Sequence, residues 1–293
     1  MTPTLELREV GWLFEATASS TLSLASHAQR VGLVGNWQPL FRALLGQTRL
    51  TRGSAQIFGC DLSCAISDGV LGFALCDPEL PPTFTVLEYL LHAARLTHGS
   101  RSRARQEASA ALQRFELGAL AKRELSRLAP FERRALGILA ATLTSPPVVL
   151  LEAPLRDLEA PAADYVARLC AVASEHSRVI VSAPYPHSPS AERALLDACD
   201  ELFVLEGGTL IAQGPPSTLF APAQRYLITV KGSKIAAFVA ALSGAGCTLD
   251  TRSPPGHFSV DLPLDATTDL LLDTALAHDL IVLELEPLYA RPA

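Results

Sequence analysis

Residues 30–46 read RVGLVGNWQPLFRALLG. The apolar run Arg30–Val34 predicts a buried strand, and Pro39–Leu45 has the early proline and the apolar spacing that predict the start of a helix. A strand that passes into a helix through so short a connection is typical of the units from which α/β folds are built.

The same alternation of strands and helices continues outward to about residue 220. Val148–Leu151 is short, apolar and rich in valine, as expected for a strand that is buried on both faces. Alternation of this kind predicts a largely parallel sheet covered by helices. The other predicted strands are Leu5–Val10, Val70–Leu75, Val179–Ser182, Leu202–Leu205 and Leu210–Ala212, and the other predicted helices are Val86–Leu96, Ser102–Phe115, Phe131–Leu143 and Ala162–Ala173.

The last 70 residues follow a different pattern. Their predicted order is β-α-β-β-α-β, which is the order of a ferredoxin-like unit, and Gly256 lies in the turn between the two middle strands. Pro215, Pro216 and Pro222 mark the region before this unit. We therefore predict two domains, 1–222 with a helical subdomain at about 84–143, and 223–293. The predicted elements of the second domain are Tyr226–Val230, Ile235–Leu242, Thr248–Thr251, Phe258–Leu262, Thr268–Ala277 and Ile281–Leu285.

The composition excludes several classes of protein. Hydrophobic residues make up 49% of the chain and charged residues 18%, with a net charge of -6, which does not favour nucleic-acid binding. No apolar run approaches the roughly 18 residues of a membrane span, and no secretory signal is recognisable. The six cysteines are scattered without histidines at zinc-site spacing, so we expect reduced thiols and no metal. These features predict a cytoplasmic chain that reaches a membrane only through another protein.

Eight segments, in order and with natural spacing, resemble the motifs of the ATP-binding subunits of ABC transporters. The resemblance covers about residues 4 to 220. The closing hairpin at 200–214 is the closest match, and each of the other segments is weak when taken alone. The segments are 30–35 and 40–46 around the phosphate loop, 51–62 for the following strand pair, 72–78 for the Q-loop, 128–134 for the signature motif, 148–154 for Walker B, 179–184 for the switch-histidine strand and 200–214 for the hairpin.

At the phosphate loop the chain departs from the family pattern G-x-x-G-x-G-K-[ST]. The corresponding residues are Gly35, Asn36, Trp37, Gln38 and Pro39, and the loop is about four residues shorter. Glycines allow the backbone to approach phosphate closely, whereas a proline removes an N–H donor. No lysine occurs between Met1 and Lys122, so no shift of register supplies the phosphate-binding lysine.

The other nucleotide motifs are altered as well. Cys76 stands at the Q-loop glutamine, and Pro184 stands at the switch histidine. The Walker B pair is Glu152 and Ala153, of which only Glu152 retains a carboxylate. The signature motif is replaced by Ala129, Pro130, Phe131 and Glu132.

The resemblance implies a pseudo-ATPase subunit of an ABC transporter of the ABC-2 exporter type, with no bound cofactor. We expect it to pair with an active ATPase subunit and to dock on an integral-membrane permease at the inner face of the membrane. Phe84 and Leu87 are the candidate lining of a groove for the permease's coupling helix. Two alternatives remain: a soluble adaptor on the same fold, and an atypical ATP-binding ABC ATPase. The basic cluster Arg101–Arg105 is either a solvated helix end or a contact for lipid head groups.

Overall fold

The computed structural model describes residues 2–11, 13–14, 17–18, 21–35, 37–47, 50–98, 100–184, 190–206, 209–220, 225–252, 256–263 and 266–287. The chain divides into two compact units, Met1–Leu219 and Phe220–Ala293, where the sequence predicts a boundary after residue 222. None of the helices in these described ranges combines the length and the apolar character that a bilayer crossing requires.

The first unit contains twelve of the strands and eight of the helices found in the described residues. The strands are β1 (Leu5–Gly11), β2 (Leu13–Phe14), β3 (Thr17–Ala18), β4 (Leu22–Ser26), β5 (Arg30–Gly35), β6 (Arg52–Ile57), β7 (Cys60–Asp61), β8 (Leu71–Ala74), β9 (Val148–Leu151), β10 (Arg178–Ala183), β11 (Glu201–Glu206) and β12 (Thr209–Gly214). The α-helices are α1 (Gln38–Leu44), α2 (Leu62–Ser67), α3 (Val86–His98), α4 (Arg101–Arg114), α5 (Pro130–Thr142), α6 (Ala160–Ala173), α7 (Ala191–Asp197) and α8 (Pro216–Leu219).

The main sheet of this unit is six-stranded, in the order β12-β11-β5-β10-β9-β8. All its pairs are parallel except the β11–β12 hairpin. Every residue of Val148–Leu151 is buried, as the sequence predicts for a strand covered on both faces. A second sheet, β4-β1-β6-β7, is antiparallel, and β2 pairs with β3. The prediction of an α/β fold with a largely parallel sheet is confirmed.

One apolar cluster joins the two larger sheets to α1. Leu7 and Ile57 come from the antiparallel sheet, Leu33 and Leu150 come from the main sheet, and Leu40 comes from α1. Burial of these side chains stabilises the fold by roughly 25 cal/mol for each Å² of apolar surface removed from water. The cluster thereby fixes α1 at the carboxyl end of β5.

The helical region follows β8. Val86, Leu90 and Ala94 lie four residues apart on α3 and are buried, as the apolar spacing predicts. The facing side of α4 is made of buried alanines at 104, 108 and 111, whose small side chains allow the two helices to approach closely. The observed bounds of α3, α4 and α5 lie within two residues of the prediction.

The second unit has the order β13 (Arg225–Lys231), α9 (Ile235–Gly244), β14 (Thr248–Arg252), β15 (His257–Asp261), α10 (Thr268–Ala277) and β16 (Ile281–Pro287). Its sheet order is β14-β15-β13-β16, and all pairs are antiparallel. Phe238 and Phe258 form part of its own core, with ring centroids 6.3 Å apart. Gly256 has a φ of 94°, and a Cβ atom there would lie 2.4 Å from the carbonyl oxygen of Val230, so only glycine fits.

Candidate functional site

The connection from β5 to α1 is two residues long. Gly35 ends β5 with a φ of 101°, and a Cβ atom at this position would lie 2.1 Å from the carbonyl oxygen of Leu205 on β11. Glycine is therefore required here by close packing against the neighbouring strand. Asn36 lies outside the described residues.

Trp37 directs its side chain into the protein. It is 1% exposed and belongs to the apolar cluster described above. Its indole Nε1 donates a 2.7 Å hydrogen bond to the carbonyl oxygen of Val34, and its backbone N–H donates to the carbonyl oxygen of Gly35 at 3.2 Å. Trp37 is the N-cap of α1 without offering a side-chain acceptor, and the next residues are the exposed Gln38 and the half-buried Pro39.

Cys76 and Glu152 meet at the carboxyl end of β8 and β9. The Cys76 backbone N–H donates to Oε2 of Glu152 at 3.3 Å, and the Glu152 backbone N–H donates to the carbonyl oxygen of Ala74 at 2.9 Å. The Cys76 side chain is buried, and this burial raises the pKa of its thiol above the ordinary value. The Glu152 carboxylate thus has a structural partner in the segment after β8.

Arg134 on α5 holds the same region together, and its role is not visible in the sequence. It is 6% exposed, although it follows two other charged residues in the chain. Its guanidinium donates to the carbonyl oxygens of Cys76 at 3.1 Å and Pro154 at 3.3 Å, and also to that of Arg156. The planar fork of donors suits this task, because one side chain can satisfy several carbonyls at once.

Ala153 follows Glu152 in a strained backbone conformation. Its φ is 38°, in the left-handed region that alanine rarely adopts, and its backbone N–H donates to Oγ of the buried Ser182 at 3.0 Å. Pro184 is exposed directly after β10. His187, three residues after Pro184, lies outside the described residues.

The four residues at the signature position form the start of α5. Ala129 is the N-cap, and its backbone N–H donates to Oε2 of Glu132 at 2.8 Å, while Glu132 also pairs with Arg123. Pro130 is exposed. Phe131 is half-buried and packs edge-on against Tyr165 of α6, with ring centroids 5.8 Å apart. Phe131 therefore has a packing partner within this chain.

A cleft of about 600 Å³ lies between α1, the end of β8, α3 and α5. Its wall includes Phe73, which is 42% exposed, and Tyr89, whose hydroxyl pKa is raised by burial. Phe84 and Leu87 are half-buried at the start of α3 and are not part of this wall; Phe84 instead packs on His92, with ring centroids 5.0 Å apart. Charged and polar groups in the lining are Gln38, Arg42, Gln47, Asp77, Glu79, Glu152 and Arg156.

The described part of the chain contains no group of three or more His, Cys, Asp or Glu side chains placed to hold a metal ion. Arg156 lies 3.6 Å from the carboxylates of both Asp77 and Asp157, so two of the acidic side chains in this region face a cation of the protein itself. Both acidic groups are largely exposed, and such surface pairs contribute little to stability.

Comparison with known proteins identifies ATP-binding proteins as sequence relatives of the chain. No family model matches the chain. The nickel import ATP-binding protein NikO of Rhodobacter capsulatus is 26% identical over 75% of this chain and 92% of its own length. The lipoprotein-releasing system ATP-binding protein LolD of Pseudomonas syringae pv. tomato is 29% identical over 71% and 96%. The Nod factor export ATP-binding protein I of Neorhizobium galegae is 26% identical over 74% and 64%.

Solved structures agree with the sequence relatives. That of cbiO1 from Clostridium perfringens, part of the ABC transporter complex cbiONQ, aligns with a TM-score of 0.63 at 18% identity, over 75% of this chain and 92% of its own. A nucleotide-free ATP-binding cassette from an ABC transporter aligns with a TM-score of 0.60 at 16% identity, over 73% and 91%. The chain is therefore similar in sequence to the ATP-binding subunits of ABC transporters, at 26 to 29% identity, and has the α/β fold of their nucleotide-binding domain.

Proposed function

We propose that this chain is a non-catalytic subunit of an ABC transporter, one that pairs with an active ATPase subunit and docks on a membrane permease. The observation that carries the proposal is the position of Trp37. Its buried indole and the two-residue connection from β5 to α1 support the absence of a glycine-rich loop that could wrap a triphosphate.

The residues of this connection do not fit a triphosphate. A phosphate cradle needs several free backbone N–H groups and a lysine or arginine against the β- and γ-phosphates. Here the Trp37 N–H is directed at the Gly35 carbonyl, Pro39 has no N–H, and the first 121 residues contain no lysine. Arg42 is exposed, but it lies on the last turn of α1, away from the connection.

The carboxylate and hydroxyl groups that ATP hydrolysis requires are also missing from their expected positions. Ala153 stands where the family has the glutamate that polarises water, and alanine has no group that can accept a proton. Glu152 accepts a hydrogen bond from Cys76, which supports a structural role for it. No serine or threonine lies between Gly35 and Gly46 to hold magnesium.

Thermal unfolding with and without ATP and magnesium tests the loss of nucleotide binding. A ligand at 100 times its Kd stabilises a protein by about 2.7 kcal/mol, which appears as a higher Tm. We expect no rise in Tm for this chain and a clear rise for LolD of Pseudomonas syringae, measured under the same conditions as the positive control. A rise for this chain that depends on ATP and magnesium would favour an atypical ATP-binding ABC ATPase instead.

The cleft beside α1 and α3 supports docking on a permease at the inner face of the membrane. Its lining combines charged and polar side chains with apolar ones, a mixture that an amphipathic helix can contact, and half-exposed Phe73 offers apolar surface to a partner. ATP-binding subunits of ABC transporters normally pair with permease subunits, and the relatives named above are such subunits. The permease's coupling helix is therefore the occupant that we propose for the cleft.

Purification from native membranes tests both partnerships. We expect recovery with a second, motif-complete ATPase subunit and a multi-span permease. Phe73→Glu should release the permease, while Phe84→Glu and Leu87→Glu test the groove that the sequence indicated. Arg52→Glu, on the exposed surface of β6, is the matched control. Release by none of the three cleft or groove variants, or recovery of the chain only as a monomer, would favour a soluble adaptor.

We also propose that the complex is an exporter of the ABC-2 type. Two observations support this: the second unit has the element and sheet order of a ferredoxin-like domain, which resembles the extension on many ATPases of such exporters, and one relative is an export protein. Identification of the permease that co-purifies, by mass spectrometry, tests the proposal. A permease of the importer class would contradict it.

A further inference from the structure

The end of α3 and the start of α4 carry an exposed leucine among arginines. Leu96, in the last turn of α3, is 91% exposed. Arg95 precedes it, and Arg101 and Arg105 lie one turn apart on α4. All four side chains are exposed, and they lie at the same end of the α3–α4 hairpin because the two helices pack side by side.

The three arginines differ from Arg103 in their ion pairing. Within the described ranges, no carboxylate forms an ion pair with Arg95, Arg101 or Arg105, whereas Arg103 pairs with Glu107 at 3.1 Å. The wider helical region also carries a net positive charge. Residues 84–143 contain ten Lys and Arg but five Asp and Glu, although the whole chain has a net charge of -6. The positive charge is therefore concentrated on this part of the protein.

The arrangement does not serve the stability of the hairpin. The first turn of α4 contains basic side chains and no acidic one, opposite to the preference set by the helix dipole. Leu96 contributes almost nothing to the core, because nearly all of its surface remains in water. Since neither the arginines nor Leu96 stabilises the hairpin, these side chains are available to contact another surface.

We propose that this basic tip, consisting of Arg95, Leu96, Arg101 and Arg105, binds the surface of an anionic lipid bilayer. The arginines would lie against lipid phosphates, and Leu96 would enter the boundary between head groups and acyl chains. Charge complementarity favours this partner, because several cations and one exposed apolar side chain are the combination that recognises an anionic membrane surface. Binding of the isolated chain needs no permease, so a negative result would leave the proposed subunit role untouched.

Flotation of the purified full chain with lipid vesicles tests the tip. We expect binding to vesicles of phosphatidylcholine mixed with phosphatidylglycerol, weak binding to phosphatidylcholine alone, and loss of binding at high salt. Each arginine near an anionic surface strengthens binding about fivefold, so Arg95→Gln/Arg101→Gln/Arg105→Gln should lower the partition coefficient about a hundredfold. Leu96→Ser should lower it about tenfold while leaving its salt dependence unchanged.

The matched control removes the same charge elsewhere. Arg52→Gln/Lys122→Gln/Lys231→Gln changes three exposed cations outside the tip and should leave binding within about twofold of the wild type. Equal losses in the two triple variants would overturn the proposal, since binding would then follow net charge alone. Binding to polyglutamate without binding to anionic vesicles would also overturn it, because an acidic protein segment would then be the partner.

Discussion

The indole Nε1 of Trp37 donates a 2.7 Å hydrogen bond to the carbonyl oxygen of Val34. This contact turns the connection from β5 to α1 inward and makes Trp37 part of the hydrophobic core, with 1% of its surface exposed. Trp37 thus contributes to folding in this chain, and its replacement should be measured first as a change in stability.

Trp37→Ala should lower the free energy of unfolding by about 3 to 5 kcal/mol, because it leaves a large cavity. Trp37→Phe should cost less than Trp37→Ala, since it keeps most of the apolar contact but leaves the Val34 carbonyl without its donor. Urea unfolding followed by circular dichroism measures both. A cost below about 0.5 kcal/mol for Trp37→Ala, the range of an ordinary surface substitution, would contradict the buried position.

Arg134 gives a second prediction, because its guanidinium bridges carbonyl oxygens of three residues. Arg134→Lys should destabilise the protein by roughly 2 to 4 kcal/mol, since an ammonium group cannot reproduce the planar fork of donors. Arg52→Lys, at an exposed position on β6, is the control and should change stability by less than about 0.5 kcal/mol. Equal effects of the two substitutions in urea unfolding would count against the bridging role.

Much of the first unit could be predicted from the sequence, because its signals are local. Val148–Leu151 could be recognised from its apolar, β-branched side chains, and α3, α4 and α5 from apolar spacing along the helix. The side chains at the site could not be placed in this way. The sequence indicates that Trp37 is unsuited to phosphate, but whether its ring lies in the core or in the cleft depends on packing between distant strands.

The burial of Arg134 and the lining of the cleft also could not be predicted from the sequence. Nothing in the run Glu132-Arg133-Arg134 distinguishes the two arginines, whereas the structure buries Arg134 where three chain segments meet. The sequence indicates Phe84 and Leu87 as the lining of a groove, whereas Phe73 and Tyr89 line the cleft in the structure. Which side of a strand end or helix faces a cleft is decided by tertiary contacts. The predicted role of Phe84 and Leu87 in binding a permease stays a prediction.

The N-cap of α5 predicts a substitution that should increase the stability of the protein. Ala129 is its N-cap but has no side-chain acceptor, and the available capping contact comes from Glu132. Ala129→Ser should therefore stabilise the protein by about 0.5 to 1 kcal/mol, because serine can accept a hydrogen bond from the N–H three residues later. The same change at Ala110, exposed within α4, should be destabilising by about 0.5 kcal/mol. Stabilisation by both substitutions, or by neither, would contradict this account.

The burial of two thiols predicts that the free energy of unfolding decreases at alkaline pH. Burial raises the pKa of Cys170 and of Cys199 to about 12, whereas a thiol in the unfolded chain ionises near pH 8.5. Between these values the unfolded state releases protons that the folded state retains, so stability is full below about pH 8.5 and falls as pH rises toward 12. Each thiol should contribute a slope of up to about 1.4 kcal/mol per pH unit.

The variant Cys170→Ala/Cys199→Ala isolates this contribution. It should be less stable than the wild type at pH 7, because two buried side chains are made smaller, but its stability should fall less steeply above pH 9. Urea unfolding at several pH values gives the two slopes, and ionisation of tyrosines and lysines contributes equally to both proteins. Parallel slopes would show that the thiols are not shielded from water in the folded state.

Ala153→Glu should not produce an ATPase. A general base accelerates a reaction by about 10² to 10⁴, but only for a substrate that is held in place. On the proposal that Trp37 and Pro39 do not form a phosphate cradle, we expect this variant, alone and with the proposed partner ATPase subunit, to hydrolyse ATP no faster than the unmodified chain under the same conditions. Ala153→Gln is the control for the added bulk at a position with a φ of 38°. Turnover gained with glutamate and not with glutamine would mean that a nucleotide does bind beside Ala153, and the non-catalytic role would have to be abandoned.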